Sequence, residues 1–157
     1  MKMLSQNFKN AIKFIFEETK NKDIKWAIIG STNMALQGID IAPNDLDIIT
    51  NLTDLKIFEQ KFKEYIIEPV SEKSSFKKEL SEVYEMKLKI KGVEVHILGE
   101  YDNDVYFSKV KDNHILFVKL DDAPIPCLSL ESEAKAYSET NRVDKAKLII
   151  DFLKTLK

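Results

Sequence analysis

Residues 26–50 read WAIIGSTNMALQGIDIAPNDLDIIT, and the fold follows from how that stretch divides. Trp26 to Ile29 is a short apolar run stopped by Gly30-Ser31, the next residues read as one short helix closed by Gly38, and Asp45-Leu46-Asp47 opens a second apolar run. The order is strand, turn, helix, loop, strand. Side chains alternate between the faces of a strand, which puts Asp45 and Asp47 on one side and Leu46 and Ile48 on the other. Two carboxylates a pleat apart on one face suit a hard cation such as Mg²⁺, which keeps several waters and takes one or two carboxylates together with substrate phosphates. The Gly30-Ser31 turn into a helix start offers free backbone N–H groups and the positive end of a helix dipole, a place for an anion. The plainer alternatives are an acidic pair at a loop end with no ligand and a Ser31 that caps the helix; capping and phosphate binding are compatible.

Around this stretch the chain is an ordinary globular one. Its 157 residues, 44% hydrophobic and 32% charged, read as one domain over 1–157, with a core over about 1–120 and a helical pair over about 129–157. That length buries a core without disulfide or metal staples. A formal charge of −2 gives no global basic field, so a nucleic acid would need a local patch and small substrates are favoured. The single cysteine, Cys127, excludes an internal disulfide framework and a cysteine-rich zinc site, and fits a reducing compartment, with the cytoplasm as the expected location. Lysines and glutamates interrupt the apolar residues of MKMLSQNFKNAIKFIFEE, which therefore reads as neither signal peptide nor membrane anchor.

Working outward, Leu4, Phe8, Ile12 and Ile15 recur at helical spacing and predict an amphipathic helix from about Leu4 to Lys20. Thr53 is the predicted cap of a helix whose apolar stripe is Leu55, Phe58 and Phe62, and Tyr65 to Val70 reads as a strand. Ser71 to Ser81, dense in serine and lysine, reads as a surface loop. Val83 to Ile90 alternates cleanly, Lys91-Gly92 is a two-residue hairpin turn, and Val93, Val95 and Ile97 continue the alternation. That register sets Ile90 opposite Val93, Lys89 opposite Glu94 and Lys87 opposite His96, with the four polar side chains on one face. Val105 to Val110 and Ile115 to Leu120 are further strand candidates, Asp102-Asn103-Asp104 and Asp121-Asp122 read as turns, and Ile125 to Leu128 leads to two helices, LESEAKAYSE and VDKAKLIIDFLKTL. Thr140 or Asn141 is the predicted cap of the second helix. The sequence has no P-loop lysine motif, dinucleotide fingerprint, nucleophile elbow or HExxH helix, so triphosphate chemistry here depends on carboxylates and metal.

Gly30-Ser31 followed, after a short helix, by Asp45-x-Asp47 resembles the signature of the polymerase-β-like nucleotidyltransferase superfamily, in particular its small members related to aminoglycoside nucleotidyltransferases and to minimal nucleotidyltransferases. The resemblance is specific in the first third of the chain and looser beyond. It implies an α/β (α+β) nucleotidyltransferase fold, a mixed β-sheet with helices packed on one face and an acidic metal site on the other. It also implies that Gly30 and Ser31 touch the nucleotide's phosphates and that Asp45 and Asp47 hold Mg²⁺ (or Mn²⁺). A third carboxylate on a later strand completes the family's site. Glu94, in GVEVHIL, is its match here, a glutamate where the family usually has aspartate. The residues alone leave Glu94 open between that role and an ion pair with Lys89, and leave His96 open between a substrate contact and a solvated side chain. Arg142 and Lys145, near the start of the last helix, fall where the small nucleotidyltransferases carry basic residues near the nucleotide, or else line a solvated face. The implied reaction moves a nucleoside monophosphate from a nucleoside triphosphate, ATP in the first instance, to an acceptor, with release of pyrophosphate. Small molecule, RNA end and protein hydroxyl all remain acceptors, and a homodimer is compatible with the sequence. The alternative is a non-catalytic nucleotide-binding module acting in a regulatory or toxin–antitoxin pair.

Overall fold

The computed structural model describes residues 4–73 and 83–157. A seven-stranded mixed sheet carries the chain, in the order β3-β4-β5-β2-β1-β7-β6. Its centre comes from the quoted stretch: β1 (Trp26–Ile29) runs through a turn into the short helix α2 (Gly30–Leu36), and the chain returns as β2 (Leu46–Asn51), antiparallel to β1. The strands β4 (Val83–Ile90) and β5 (Val93–Glu100) form the hairpin that alternation predicts. Ile90 pairs with Val93, Lys89 with Glu94 and Lys87 with His96, and Lys91 and Gly92 both take positive φ, 52° and 81°, as the tight primed turn requires. The strand β5 then lies parallel to β2, whereas β3 (Ile66–Lys73) pairs outside β4. On the other flank β7 (Ala123–Leu128) runs parallel to β1 and pairs with the edge strand β6 (Ile115–Leu120) through the Asp121-Asp122 turn.

One sheet face is sealed by α1 (Gln6–Thr19) and α3 (Leu52–Lys61), whose Ile12, Ile15, Leu55 and Phe58 pack with Ile28, Ile48, Val95 and Ile97. Ser5 caps α1 by accepting the Phe8 N–H. The opposite face also receives helices, α4 (Phe107–Lys111) and α5 (Leu130–Glu139), which cover Ala27, Ile29, Ile49 and Leu98. The last helix, α6 (Val143–Thr155), packs through Ala146 and Ile149 on α5 and on Met34 of α2. The acidic site lies on this second face, in the space that α4 and α5 leave open.

Several local expectations are corrected. Val105 to Val110 is not a strand: the buried carboxylate of Glu100 accepts the N–H groups of Tyr106 and Phe107 at 2.9 and 2.8 Å, and the chain turns there into α4. Val105, Tyr106, Phe107 and Val110 are all buried, a helical rather than an alternating set. The cap of α3 is Asn51, not Thr53; its side chain accepts the Asp54 N–H at 2.7 Å. Neither Thr140 nor Asn141 caps α6. The Thr140 hydroxyl bonds back to Ala136, Asn141 takes φ +63° to end α5, and the cap position falls to Arg142, without a side-chain bond. Of the predicted loop over Ser71 to Ser81, Ser71, Glu72 and Lys73 belong to β3, paired with Glu85, Tyr84 and Val83, and the remainder lies outside the described residues.

The cap of α3 is directly measurable. Asn51→Ala removes both the cap and the amide's bond to Asp54 Oδ2, and should lower stability by about 1 kcal/mol. Thr53→Ala, at an exposed position, should stay within about 0.5 kcal/mol of the parent. Urea midpoints at unchanged slope decide between the two caps.

Candidate active site

Two strand pairings build the site. Ile29 of β1 faces Asp47 of β2, and Asp47 in turn faces His96 of the parallel strand β5. The chain leaves β1 through Gly30 at φ +75°, where a Cβ would lie 2.8 Å from Asp47 Oδ2; only glycine allows the turn to pass this close to the carboxylate. Asp45 sits in the bend just before β2, tied to α2 because the Thr32 hydroxyl donates to its carbonyl at 2.8 Å. Ser31 is not a cap: that position belongs to Ile29, which makes no side-chain bond, and the Ser31 hydroxyl instead receives Lys145 Nζ at 3.4 Å.

The structure places His96, rather than Glu94, against the two aspartates. His96 Nδ1 lies 3.4 Å from Asp47 Oδ1 and 4.0 Å from Asp45 Oδ2, with Glu85 Oε2 at 3.7 Å. Its other nitrogen, Nε2, is hydrogen-bonded to Glu94. Glu94 is therefore one residue removed from the trio, and the side chain it meets is His96, although Lys89 stands opposite it in the register. One donor atom from each of Asp45, Asp47 and His96 fits within 4.8 Å, close enough for the three to close on a single cation.

The charges act on one another. The hydrogen bond that His96 donates to Asp47 is the main force raising the imidazole to about 9, helped by Glu94 and the aspartate charges and opposed by burial. Burial first, and then the charge of Asp47, raises Asp45 above the usual aspartate range. The bond to His96 lowers Glu94. Without a cation the cleft floor is thus a set of like charges around one imidazolium.

A cleft of about 390 Å³ opens above this floor and gathers residues far apart in the sequence: Gly30, Ser31, Asp45, Asp47 and His96 line it together with Tyr106, Tyr137, Arg142 and Lys145. Arg142 and Lys145 are brought there by the turn between α5 and α6, with the guanidinium 5.1 Å above the Tyr137 ring. Acid on the floor and cations on the wall can accommodate a polyphosphate that arrives with a metal ion.

The sequence profile of a family described as aminoglycoside-2''-adenylyltransferase matches residues 11–150. Among solved structures, a proposed nucleotidyltransferase from Thermotoga maritima superimposes with a TM-score of 0.76 at 27% identity, covering 98% of this chain and 96% of that one. The antibiotic-resistance factor ANT(2'')-Ia superimposes with a TM-score of 0.63 over 96% of this chain and 86% of its own; at 11% identity that likeness concerns the fold. No curated protein matches the chain.

The sequence did not single out Glu133. An acid in the first turn of a helix reads as a partner of the helix dipole, and nothing local marks it as more. In the fold it is fully buried behind the turn: Oε1 accepts the Gly30 N–H at 2.8 Å and the Asn33 side-chain amide at 2.9 Å, and Oε2 is buried with no partner among the described residues. The Gly30 N–H is therefore bonded within the protein. Burial pushes the Glu133 carboxyl up to about 7, against the two hydrogen bonds that lower it. An acid whose folded pKa is raised contributes its full stability below its unfolded value, near 4.5, and loses it as pH rises through about 7. Glu133→Gln keeps an acceptor for Gly30 and Asn33 but cannot ionise. Relative to the parent, its stability should therefore improve from pH 5 to about pH 7 and then level off, as read by denaturant unfolding from pH 5 to pH 8; parallel curves would refute the assignment.

Proposed function

The chain belongs to the aminoglycoside-2''-adenylyltransferase family and is a nucleotidyltransferase, and on that premise we propose that it transfers the nucleoside monophosphate of ATP to a hydroxyl of a small, amine-bearing acceptor, with a divalent metal ion and with release of pyrophosphate. The observation that carries this reading is the single cleft shared by Ser31, Asp45, Asp47, Arg142 and Lys145. The amine-bearing acceptor is inferred from the family's description and from the half-exposed carboxylate of Glu94 beside the cleft floor.

The donor set fits a metal. Asp45 and Asp47 offer anionic oxygens to a common point, the chemistry that Mg²⁺ and Mn²⁺ accept. Such an ion would neutralise phosphate charge and lower the pKa of an acceptor hydroxyl. The residues themselves do the holding. Lys145 and Arg142 supply positive charge to the phosphates from the α5–α6 side, and Ser31 offers its hydroxyl from the turn. Gly30 contributes by what it lacks, since any side chain would strike Asp47. In the transfer the acceptor oxygen bonds to the α-phosphorus and the bond from that phosphorus to the bridging oxygen breaks. Pyrophosphate departs with the electron pair, and the acceptor's proton passes to a cleft carboxylate or to solvent.

Electrostatics makes nucleotide binding depend on metal, because a triphosphate approaching two uncompensated aspartates is repelled. Asp45→Asn and Asp47→Asn should each retain the fold yet abolish metal-dependent ATP binding and transfer of label from α-³²P-ATP to aminoglycoside acceptors. Lys145→Ala should weaken ATP binding by about tenfold, the scale of one charge-assisted contact. Equal ATP affinity with and without Mg²⁺, or in the Asp47→Asn protein, would sink the proposal; metal-dependent binding with no transfer to any acceptor would leave the non-catalytic module.

A further inference from the structure

The third donor in this cleft is an imidazole, and its surroundings say how it is used. His96 reaches the aspartates only because β5 runs parallel to β2 in the register that pairs Asp47 with His96. Its ring is fixed at both ends: Nδ1 faces Asp47 and Asp45 at 3.4 and 4.0 Å, and Nε2 is held by Glu94. A histidine that binds a metal through one nitrogen almost always gives its other N–H to a carboxylate, a backbone carbonyl or water, which sets the tautomer and makes the free nitrogen a better donor. The arrangement of Glu94, His96 and the aspartates has that form. It also gives Glu94 a role that neither the metal-ligand reading nor the Lys89 ion pair contains.

Resting on the reading of Asp45 and Asp47 as metal ligands, we propose that His96 completes their site through Nδ1, that Glu94 is its positioning residue, and that the site takes a first-row transition dication such as Mn²⁺ in preference to Mg²⁺. Magnesium demands oxygen donors and parts with water reluctantly, whereas transition ions gain from imidazole nitrogen. Two carboxylates and one imidazole therefore shift the balance toward the transition ion. A third carboxylate at position 96 would shift it back.

The test uses the whole chain, MnCl₂ and MgCl₂ without nucleotide, and two readouts that do not depend on turnover. Pulsed electron paramagnetic resonance of the Mn²⁺-loaded protein should show coupling to a directly bound nitrogen, and calorimetry should show Mn²⁺ bound at least about tenfold more tightly than Mg²⁺. His96→Asp should remove the nitrogen coupling and narrow the ratio of the two affinities. Glu94→Ala should weaken Mn²⁺ by about tenfold or more while the nitrogen coupling persists, the usual effect of removing a carboxylate behind a ligating histidine. Absence of nitrogen coupling in the parent protein, or an unchanged affinity ratio in His96→Asp, overturns the role of His96; an unaffected Glu94→Ala overturns that of Glu94. Asp47→Asn keeps this separate from the reading beneath it. If Mn²⁺ binding falls in Asp47→Asn but shows no nitrogen, the aspartate site stands and the histidine ligand fails. If Mn²⁺ binding is untouched by Asp47→Asn, the aspartate site itself fails.

Discussion

Three adjacent strands, β1, β2 and β5, hold a register in which Ile29, Asp47 and His96 stand side by side, and the site exists only while that register holds. It is pinned from the reverse face of the sheet, where Ile28, Ile48 and Ile97 are fully buried beneath α1 and α3. Because side chains alternate, a slip of one residue would carry those isoleucines to the cleft and the aspartate and histidine into the core. Burial of one face thus positions charge on the other. Gly30 adds a second condition, since the turn after β1 passes too close to Asp47 for any side chain.

The helical pair at the C-terminal end completes what the strands begin. Its first helix places Glu133 behind the turn, where it takes the Gly30 N–H, and the start of its second helix brings Arg142 and Lys145 into the cleft that the aspartates line. The pair sits on α2 through Met34, Leu130, Tyr137 and Ile149, so its position is tied to the same helix that follows the glycine turn. The cleft divides its charge accordingly, with carboxylates carried by the sheet and cations carried by the helices. On the proposed function, a metal-bound polyphosphate would present both signs to this cleft. Glu133 is the costly part: a carboxyl buried with one oxygen unsatisfied among the described residues is retained against the desolvation penalty, and the backbone it fixes is that of the Gly30 turn beside the aspartates.

Elements with strict periodicity and unambiguous turn residues were legible in advance. The β4–β5 hairpin is one, because Lys91-Gly92 can only close a two-residue turn and the alternation on both sides then dictates every pair. The apolar stripe of α3 is another; Leu55, Phe58 and Phe62 are buried as their spacing requires. Misreadings fall where a distant or buried group intervenes. Val105 to Val110 is apolar enough for a strand, yet the Glu100 carboxylate collects two of its N–H groups and turns it into a helix. At the helix starts, a threonine offered itself at position 53, but the asparagine two residues earlier already held the Asp54 N–H.

From its residues alone this chain determines a strand–turn–helix–strand unit with glycine at the turn and two aspartates on one face of the returning strand, because those features lie within one short stretch and depend on period and turn chemistry. The family follows from the same stretch. What only the tertiary structure decided is which third group lies against the aspartates and what stands behind the turn: His96 and Glu133 come from a strand and a helix far along the chain, and Arg142 and Lys145, which the family resemblance had singled out, line the same cleft only because α5 and α6 pack on α2. Local pattern gave each of them a face but no neighbour. The parallel pairing of β5 with β2 and the packing of α5 and α6 on α2 are contacts between distant segments, set by how whole faces bury together, and no window of the sequence contains both partners.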